Sequence, residues 1–557
     1  MNKLSSISPV SKFLLVLIVG VFILRSFTLE MTDLIDPTES RYASVAAHMV
    51  TSGDWVVPML NLPAGVEPYL GKPPLHFWLT AISYKLFGQE EWTSRLPSLI
   101  AAMFIVGAVV RFGRAAWNLE TGLLAGLVTI STPFLFMFSG GSVTDVTLTA
   151  CISWGVVSAY LLLATSNLKD KKLNGYLLAV SVALGFLTKG PVAIALTGLP
   201  IILFLIFKRD IAKLREIPWL SSALIFLAIT SPWFILSELR NPGFLKYFFW
   251  NENIARYLIK DYGDKYGSGH VYPRGMAVLM MILVTLPWSI ILVAKYFKDG
   301  WGKFKRAILA HDGYHFTLIW GASSAIFFCL VRQLHAAYLI PAVPGIALSV
   351  AANFSAVNLS LIKQRLIFIG TALVGLLLIG ISGSASSYTP AIIESLVFLL
   401  IALTCLWFFK FKFESLIANL STSLVVLCLL SLIAFTPYLN SHRSAEGILK
   451  NIARVTNAKN LKIGITASNL YSPYWLSMST GPEFPEAIKI SYVNPAKAVE
   501  PQLKHVLVRR DDLSAFTMSI HARFKLVCSF GKWNWLTSRK KLLKRPAAEI
   551  CPFDLPL

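Results

Sequence analysis

Residues 174–207 read NGYLLAVSVALGFLTKGPVAIALTGLPIILFLIF. The stretch is apolar except for one break, Leu187–Pro191 (LTKGP), which divides it into two short helices. Irregular backbone at membrane depth is tolerated only where protein or a wet cavity covers it. Lys189 in that break therefore points to a cavity, either as an anion ligand or as the partner of a carboxylate such as Asp145.

Composition extends this reading to the whole chain. Of 557 residues, 55% are apolar and only 14% charged, and the mean hydropathy is +0.62. A soluble domain carries about 25% charge, so a large soluble enzyme is excluded. Disorder is excluded as well, because it needs low hydrophobicity. Six cysteines in this length do not make a disulfide scaffold.

A helix needs about 20 apolar residues to cross a bilayer. Such stretches lie near 10–28, 95–112, 119–139, 145–165, 174–189, 191–207, 217–239, 276–296, 314–331, 336–353, 366–384, 390–409 and 417–437. The expected fold is a polytopic α-helical membrane protein with about 13 transmembrane helices. The N-terminal run after Lys3 and Lys12 lacks a small-residue cleavage site and reads as an uncleaved first span.

Six basic loops test the count: Arg111/Arg114, Lys169–Lys172, Lys208–Arg215, Lys295–Arg306, Lys363/Arg365 and Lys410/Lys412. Thirteen crossings put all six on the cytoplasmic side, as the positive-inside rule demands. A further crossing at 75–88 would reverse them, so that stretch reads as a juxtamembrane helix.

The organisation expected is a transmembrane domain over 1–439 and a C-terminal periplasmic domain over 440–557. The first domain carries periplasmic loops at 29–94 and 240–275. The basic tail alternates apolar runs (KIGITAS, AIKISYV, KHVLVRR, FKLVCSF) with polar breaks, the pattern of a small α/β or α+β domain. Cys151, Cys329, Cys405 and Cys428 lie in spans, whereas Cys528 and Cys551 share the tail and are a possible pair in an oxidising compartment.

Carboxylates concentrate in the first outer loop, among them Asp36 and Glu39. Asp36-Pro37-Thr38 with Glu39 is a helix-start pattern, so these acids read either as caps or as site groups at the membrane surface. Lys72 precedes two prolines that keep the backbone before them extended; it suits a lipid phosphate or a snorkelling role. Asp145 opens a span, where the helix dipole favours an acid. Glu252 and Arg256 stand four apart, either as an exposed pair or with Arg256 gripping a phosphate. His270 sits among Gly and Tyr, and His335 lies at a span junction. Lysines, an arginine and acids at one membrane face suit group transfer from a lipid phosphate.

The ordered motifs ESRYA (39–43), SGDWVVP (52–58), KPPLHFW (72–78), EWTSRLPS (91–98), LTKGP (187–191) and FFWNENIAR (248–256) carry a family likeness. Over about residues 30–350 the chain resembles the bacterial branch of the protein O-mannosyltransferase-like glycosyltransferases, which includes the lipid A 4-amino-4-deoxy-L-arabinose transferases. The resemblance implies a GT-C fold in the bacterial inner membrane, with the active site facing the periplasm. It implies an inverting glycosyltransferase that moves a sugar (aminoarabinose, or a related amino sugar or hexose) from undecaprenyl phosphate to lipid A. The same fold serves transferases acting on protein hydroxyls or another envelope glycan. A lipid-linked-sugar flippase is a third reading, but no inverted repeat is visible. Nothing points to nucleic acid.

By the same resemblance Asp36 takes the acid's role, with Glu39 second and Asp145 as the acid of a later loop. Lys72, Arg256, Arg41 and Lys189 match donor-phosphate positions, and Tyr42 completes the first motif. Three departures stand out. Thr38 occupies the position of the family's usual motif Asp. Gly71 stands where a Glu often precedes Lys72, which puts a divalent cation in doubt. RQLHAAY replaces a Ser-Lys-x-Lys-Leu-Pro-like run, which leaves the exact sugar and acceptor open.

Overall fold

The computed structural model describes residues 8–62, 65–255, 259, 271–329, 331, 333–354, 361–386, 389–410, 415–456, 462–466, 471–478, 489–492, 503–509, 524–530 and 532–538. Ten helices open the chain: α1 Pro9–Phe27, α2 Thr38–Ser52, α3 Leu75–Phe87, α4 Glu91–Ala116, α5 Leu119–Ser131, α6 Pro133–Phe138, α7 Thr144–Ala164, α8 Leu168–Lys189, α9 Val192–Lys208 and α10 Trp219–Arg240. Between α2 and α3, strands β1 (Met59–Leu62) and β2 (Gly65–Pro68) pair antiparallel.

Every one of the thirteen apolar stretches contains helix. Among the described residues, seven helices are long and apolar enough to cross a membrane. An eighth span results if Met276–Val284 and Trp288–Asp299, bent by 101° to one another, count as one. The remaining stretches are helical but fall short of that criterion. The expected span at 119–139 breaks at Thr132 into α5 and α6, α9 has 17 residues, and α8 begins among Lys169, Asp170, Lys171 and Lys172. The 75–88 stretch is α3, 13 residues long. The chain is a multi-pass membrane protein with a polytopic helical fold.

Close helix packing rests on small residues, as it does where lipid supplies no hydrophobic drive between helices. A Cβ on Gly113 of α4 would lie 2.5 Å from Gly122 Cα of α5, so both positions demand glycine. The C-terminal end of α6 is held by Arg25 of α1. Its guanidinium donates to the carbonyls of Phe136 (3.1 Å) and Met137 (3.2 Å), the unsatisfied end of α6.

After the last long helix, Leu416–Arg443, comes the amphipathic helix Glu446–Thr456 and then a five-stranded mixed sheet. Its strands are β3 Lys462–Ile465, β4 Lys489–Tyr492, β5 His505–Arg509, β6 Phe524–Phe530 and β7 Trp533–Ser538, in the order β4-β3-β5-β7-β6. β3 runs parallel to β4 and β5, while β7 is antiparallel to β5 and β6. A short helix, Ser472–Ser477, leaves β3.

The segment between α1 and α4 and the C-terminal elements share one apolar core. Ala46 and Met49 of α2 and Phe77 and Tyr84 of α3 cluster with Ile448, Ile452, Trp475 and Trp535. Polar links reinforce it: Trp475 Nε1 donates to Tyr84 OH at 3.0 Å, and Gln89 Nε2 donates to Trp475 O at 2.9 Å. Sequence position separates these two regions, but they pack as one body. Cys528 of β6 is disulfide-bonded, and its partner lies outside the described residues.

Candidate active site

A cavity of about 390 Å³ lies where α7, α8 and α9 meet the loop before α3. Pro73 and Pro74 hold that loop open and start α3 at Leu75, leaving Gly71 and Lys72 on the cavity wall. Asp145 arrives on the first turn of α7 and Lys189 on the last turn of α8. The opposite wall is a π-helical turn, Tyr247–Ala255, which contributes Phe248 and Glu252. A 3-10 segment, Ala336–Ala342, adds Tyr338. The rest of the lining, including Leu196, Phe327, Phe328 and Val331, is apolar.

Among the described residues, four charged side chains line this cavity, and they stand as two ion pairs. Lys72 Nζ lies 2.7 Å from Glu252 Oε1, with side-chain exposures of 14% and 7%. Lys189 Nζ lies 2.6 Å from Asp145 Oδ1 and 4.0 Å from the centre of the Tyr338 ring, a cation–π contact. Burial alone would lower the Lys72 pKa. The Glu252 carboxylate, with Tyr69, Tyr42 and Tyr338 around it, outweighs that and holds the ammonium well above its ordinary range.

Gly190 follows Lys189 at φ +75°, and a Cβ there would meet Phe248 Cζ at 2.6 Å. The LTKGP break thus does two things. It ends α8 with Lys189 facing the cavity, and its glycine lets the Glu252 turn pack against that end. Of the two roles expected for Lys189, the structure shows the partnership with Asp145.

Asp36 and Glu39 are placed differently. Neither lines the cavity. Asp36 is buried, and its carboxylate accepts from the Ser40 hydroxyl, from Tyr471 N (2.8 Å), from Ser472 N (3.0 Å) and from Ser472 Oγ (2.5 Å). Burial raises its pKa despite these bonds. Glu39 accepts from Arg95 Nε (2.7 Å) and Nη2 (3.1 Å), from Ile35 N (3.0 Å) and from Ser142 N (2.9 Å). Burial would raise the Glu39 pKa, but the Arg95 guanidinium and the backbone donors turn the shift downward. The cap reading of this acidic helix start therefore fits Asp36, although the helix it caps belongs to the C-terminal region.

Arg41 does not line the cavity either and is half-buried among aromatic rings. Its guanidinium lies 5.4 Å from the Tyr42 ring and 5.8 Å from each of the Tyr69 and Tyr471 rings. His335 Nδ1 accepts from Ala337 N at 3.2 Å and so starts the Tyr338 segment. Arg256 and His270 lie outside the described residues.

The reading of the sequence missed Arg95. It donates to the carbonyls of Leu29 (2.5 Å), Thr32 (2.6 Å) and Asp33 (2.9 Å) besides Glu39. The signal was available, because an arginine this close to a span's start needs an anion. His76 was missed too. It is fully buried beside the site, with Nδ1 3.0 Å from Thr147 Oγ1, and burial lowers its pKa to about 4, against the opposing pull of Asp145.

For a metal, the carboxylates of Asp33, Glu91 and Glu446 approach within 4.8 Å of one another. The Lys450 ammonium stands 2.8 Å from both Glu91 and Glu446, filling the place a cation would take. In the cavity Gly71 offers no side chain, and both carboxylates are tied to lysines.

The fold is shared with the crystal structure of ArnT from Cupriavidus metallidurans bound to undecaprenyl phosphate, on which it superposes with a TM-score of 0.74, over 96% of this chain and 100% of that one, at 20% identity. The apo state of the same protein gives 0.73. Residues 71–236 match the family described as dolichyl-phosphate-mannose-protein mannosyltransferase. The chain is similar to this family and to curated relatives of which it spans a little over half the length. The undecaprenyl phosphate-alpha-4-amino-4-deoxy-L-arabinose arabinosyl transferase of Aeromonas salmonicida is 30% identical over 329 residues. That match covers 58% of this chain and 57% of the relative's length. The Proteus mirabilis enzyme of that name, numbered 1, is 28% identical over 337 residues.

Proposed function

We propose that the protein transfers a sugar, aminoarabinose or a close relative, from undecaprenyl phosphate to lipid A at the periplasmic face of a bacterial inner membrane. The observation that carries this is the cavity, where two lysines and two carboxylates face one another beside an apolar wall. Such a site takes a phosphate at one end and a lipid tail at the other. The names of the relatives point the same way.

In this reading the donor's C1–O bond breaks and polyprenyl phosphate leaves with the electron pair. The acceptor oxygen attacks C1 from the opposite face, which inverts the centre. Lys72 stabilises the charge that grows on the leaving phosphate, and Arg256 and Lys189 complete that role. A lipid A phosphate is already anionic and needs no base, so Asp145 then orients the donor sugar or its amine. A hydroxyl acceptor would need a base, and Asp145, one of the two carboxylates on the cavity wall, takes that role. Asp36, Glu39, Arg41 and Tyr42 fix the first loop on which Lys72 is mounted.

The thirteen-crossing topology and the division at 439/440 belong to the same proposal, with both outer loops and the tail in the periplasm. The disulfide at Cys528 supports it, because disulfides persist in oxidising compartments. The test is to incubate the purified protein with lipid A and undecaprenyl-phosphate-linked sugars and to record the lipid A mass. A gain of one sugar is expected. No gain with the donor intact would move the acceptor to protein hydroxyls or another envelope glycan. Movement of the intact donor between leaflets without transfer would indicate a flippase.

A further inference from the structure

Among the described residues, the charges on the cavity wall cancel. Lys72 and Lys189 are the cations and Asp145 and Glu252 the anions, and each cation is already in direct contact with an anion. Among the described residues, each lysine that could meet an entering phosphate is therefore already engaged. For Lys72 to hold a phosphate oxygen, the carboxylate 2.7 Å away must yield. The two pairs differ in how they are mounted. Asp145 and Lys189 sit on the ends of the long helices α7 and α8. Glu252 sits on a nine-residue π-helical turn, whose widened backbone packs against Gly190 through Phe248. π-Turns are frequent at functional sites and have less regular hydrogen bonding than α-helix. Glu252 is therefore the carboxylate better placed to move.

We propose that Glu252 is a latch that occupies Lys72 in place of the donor's phosphodiester and is displaced when charge builds on the leaving polyprenyl phosphate. The inference rests on the functional reading above. Its physical basis is the charge change during transfer. The donor's phosphodiester carries one negative charge, whereas the released monoester carries roughly −1.5 to −2 at neutral pH. A carboxylate competes well with the former and poorly with the latter. Lys72 then becomes available as the leaving group forms, so its attraction is spent on the transition state rather than on ground-state binding.

The test is binding of undecaprenyl phosphate to the purified full chain, with wild type, Glu252→Gln and Lys72→Ala compared, followed by steady-state kinetics. Removing the competitor should tighten binding in Glu252→Gln by roughly tenfold, the factor lost when only a tenth of the sites are competent. KM for the donor should fall, and kcat should fall with it, because the attraction of Lys72 is then spent on ground-state binding. Lys72→Ala should bind more weakly than wild type. A thermal midpoint measured without ligand checks that Glu252→Gln is folded. If it is not, Glu252→Asp, which keeps the charge but shortens the reach, should show a smaller tightening. Equal or weaker binding by the folded variant would overturn the latch while leaving the phosphate site intact. Failure of wild type to bind, with Lys72→Ala indistinguishable from it, would overturn the functional reading and the latch together.

Discussion

Ser472 donates both its backbone N–H (3.0 Å) and its hydroxyl (2.5 Å) to the carboxylate of Asp36, 436 residues earlier in the chain. A helix at the start of the first loop thus caps a helix of the C-terminal region. Substituting Asp36 should therefore act through docking as well as through chemistry. Asp36→Asn and Ser472→Ala should each cost about 1–3 kcal/mol, the penalty for a buried hydrogen-bonding group left unmatched. Both should increase protease cleavage after Arg443. A purely catalytic Asp36 predicts normal stability for both variants and normal transfer for Ser472→Ala.

Glu39 and Arg95 form a more deeply buried pair. Removing one member leaves the other charge uncompensated, at a cost of about 3–5 kcal/mol. Glu39→Ala should therefore lower expression and thermal stability sharply, before any assay of transfer.

Asp145→Asn should retain the fold and lose activity. The amide still accepts a hydrogen bond from Lys189 but carries no charge to orient a donor or remove a proton. A fall in kcat of roughly a hundredfold or more is expected, in line with loss of a positioned acid–base group. Transfer at the wild-type rate would remove Asp145 from the mechanism.

The cluster of Asp33, Glu91, Glu446 and Lys450 holds three carboxylates against one ammonium, with Arg95 nearby. Burial, with the neighbouring Glu91 and Asp33, raises Glu446 well above the usual glutamate range, and burial raises Asp33 to about 6. Folded-state values above the unfolded ones mean that the folded form binds the extra protons. The stabilisation is complete below about pH 4 and is lost as pH rises through about 6 and beyond. Glu446→Gln, which mimics the protonated acid, should gain about 1–2 kcal/mol at pH 7 and nothing at pH 4. Unfolding midpoints at the two pH values would show it. A loss at pH 7 would mean that Glu446 is ionised in the folded protein.

Gly190→Ala combines a strained φ of +75° with a Cβ 2.6 Å from Phe248. It should cost about 1–3 kcal/mol and displace the turn carrying Glu252, so donor affinity should change along with stability.

Sequence alone settled the helical membrane architecture, because twenty apolar residues in a row have few other fates in water or lipid. It also brought forward Lys72, Asp145 and Lys189, since charges beside breaks in apolar helices need a reason to be there. Glu252 was visible as well, either as a partner of Arg256 or beside it at a phosphate site. Tertiary structure decided the pairing: Glu252 with Lys72, Asp145 with Lys189, and Glu39 with Arg95. It also decided that Asp36 serves a helix from the far end of the chain. Periodicity and spacing report a residue's local face, whereas an ion pair depends on which distant elements share a low-dielectric volume, and only packing fixes that.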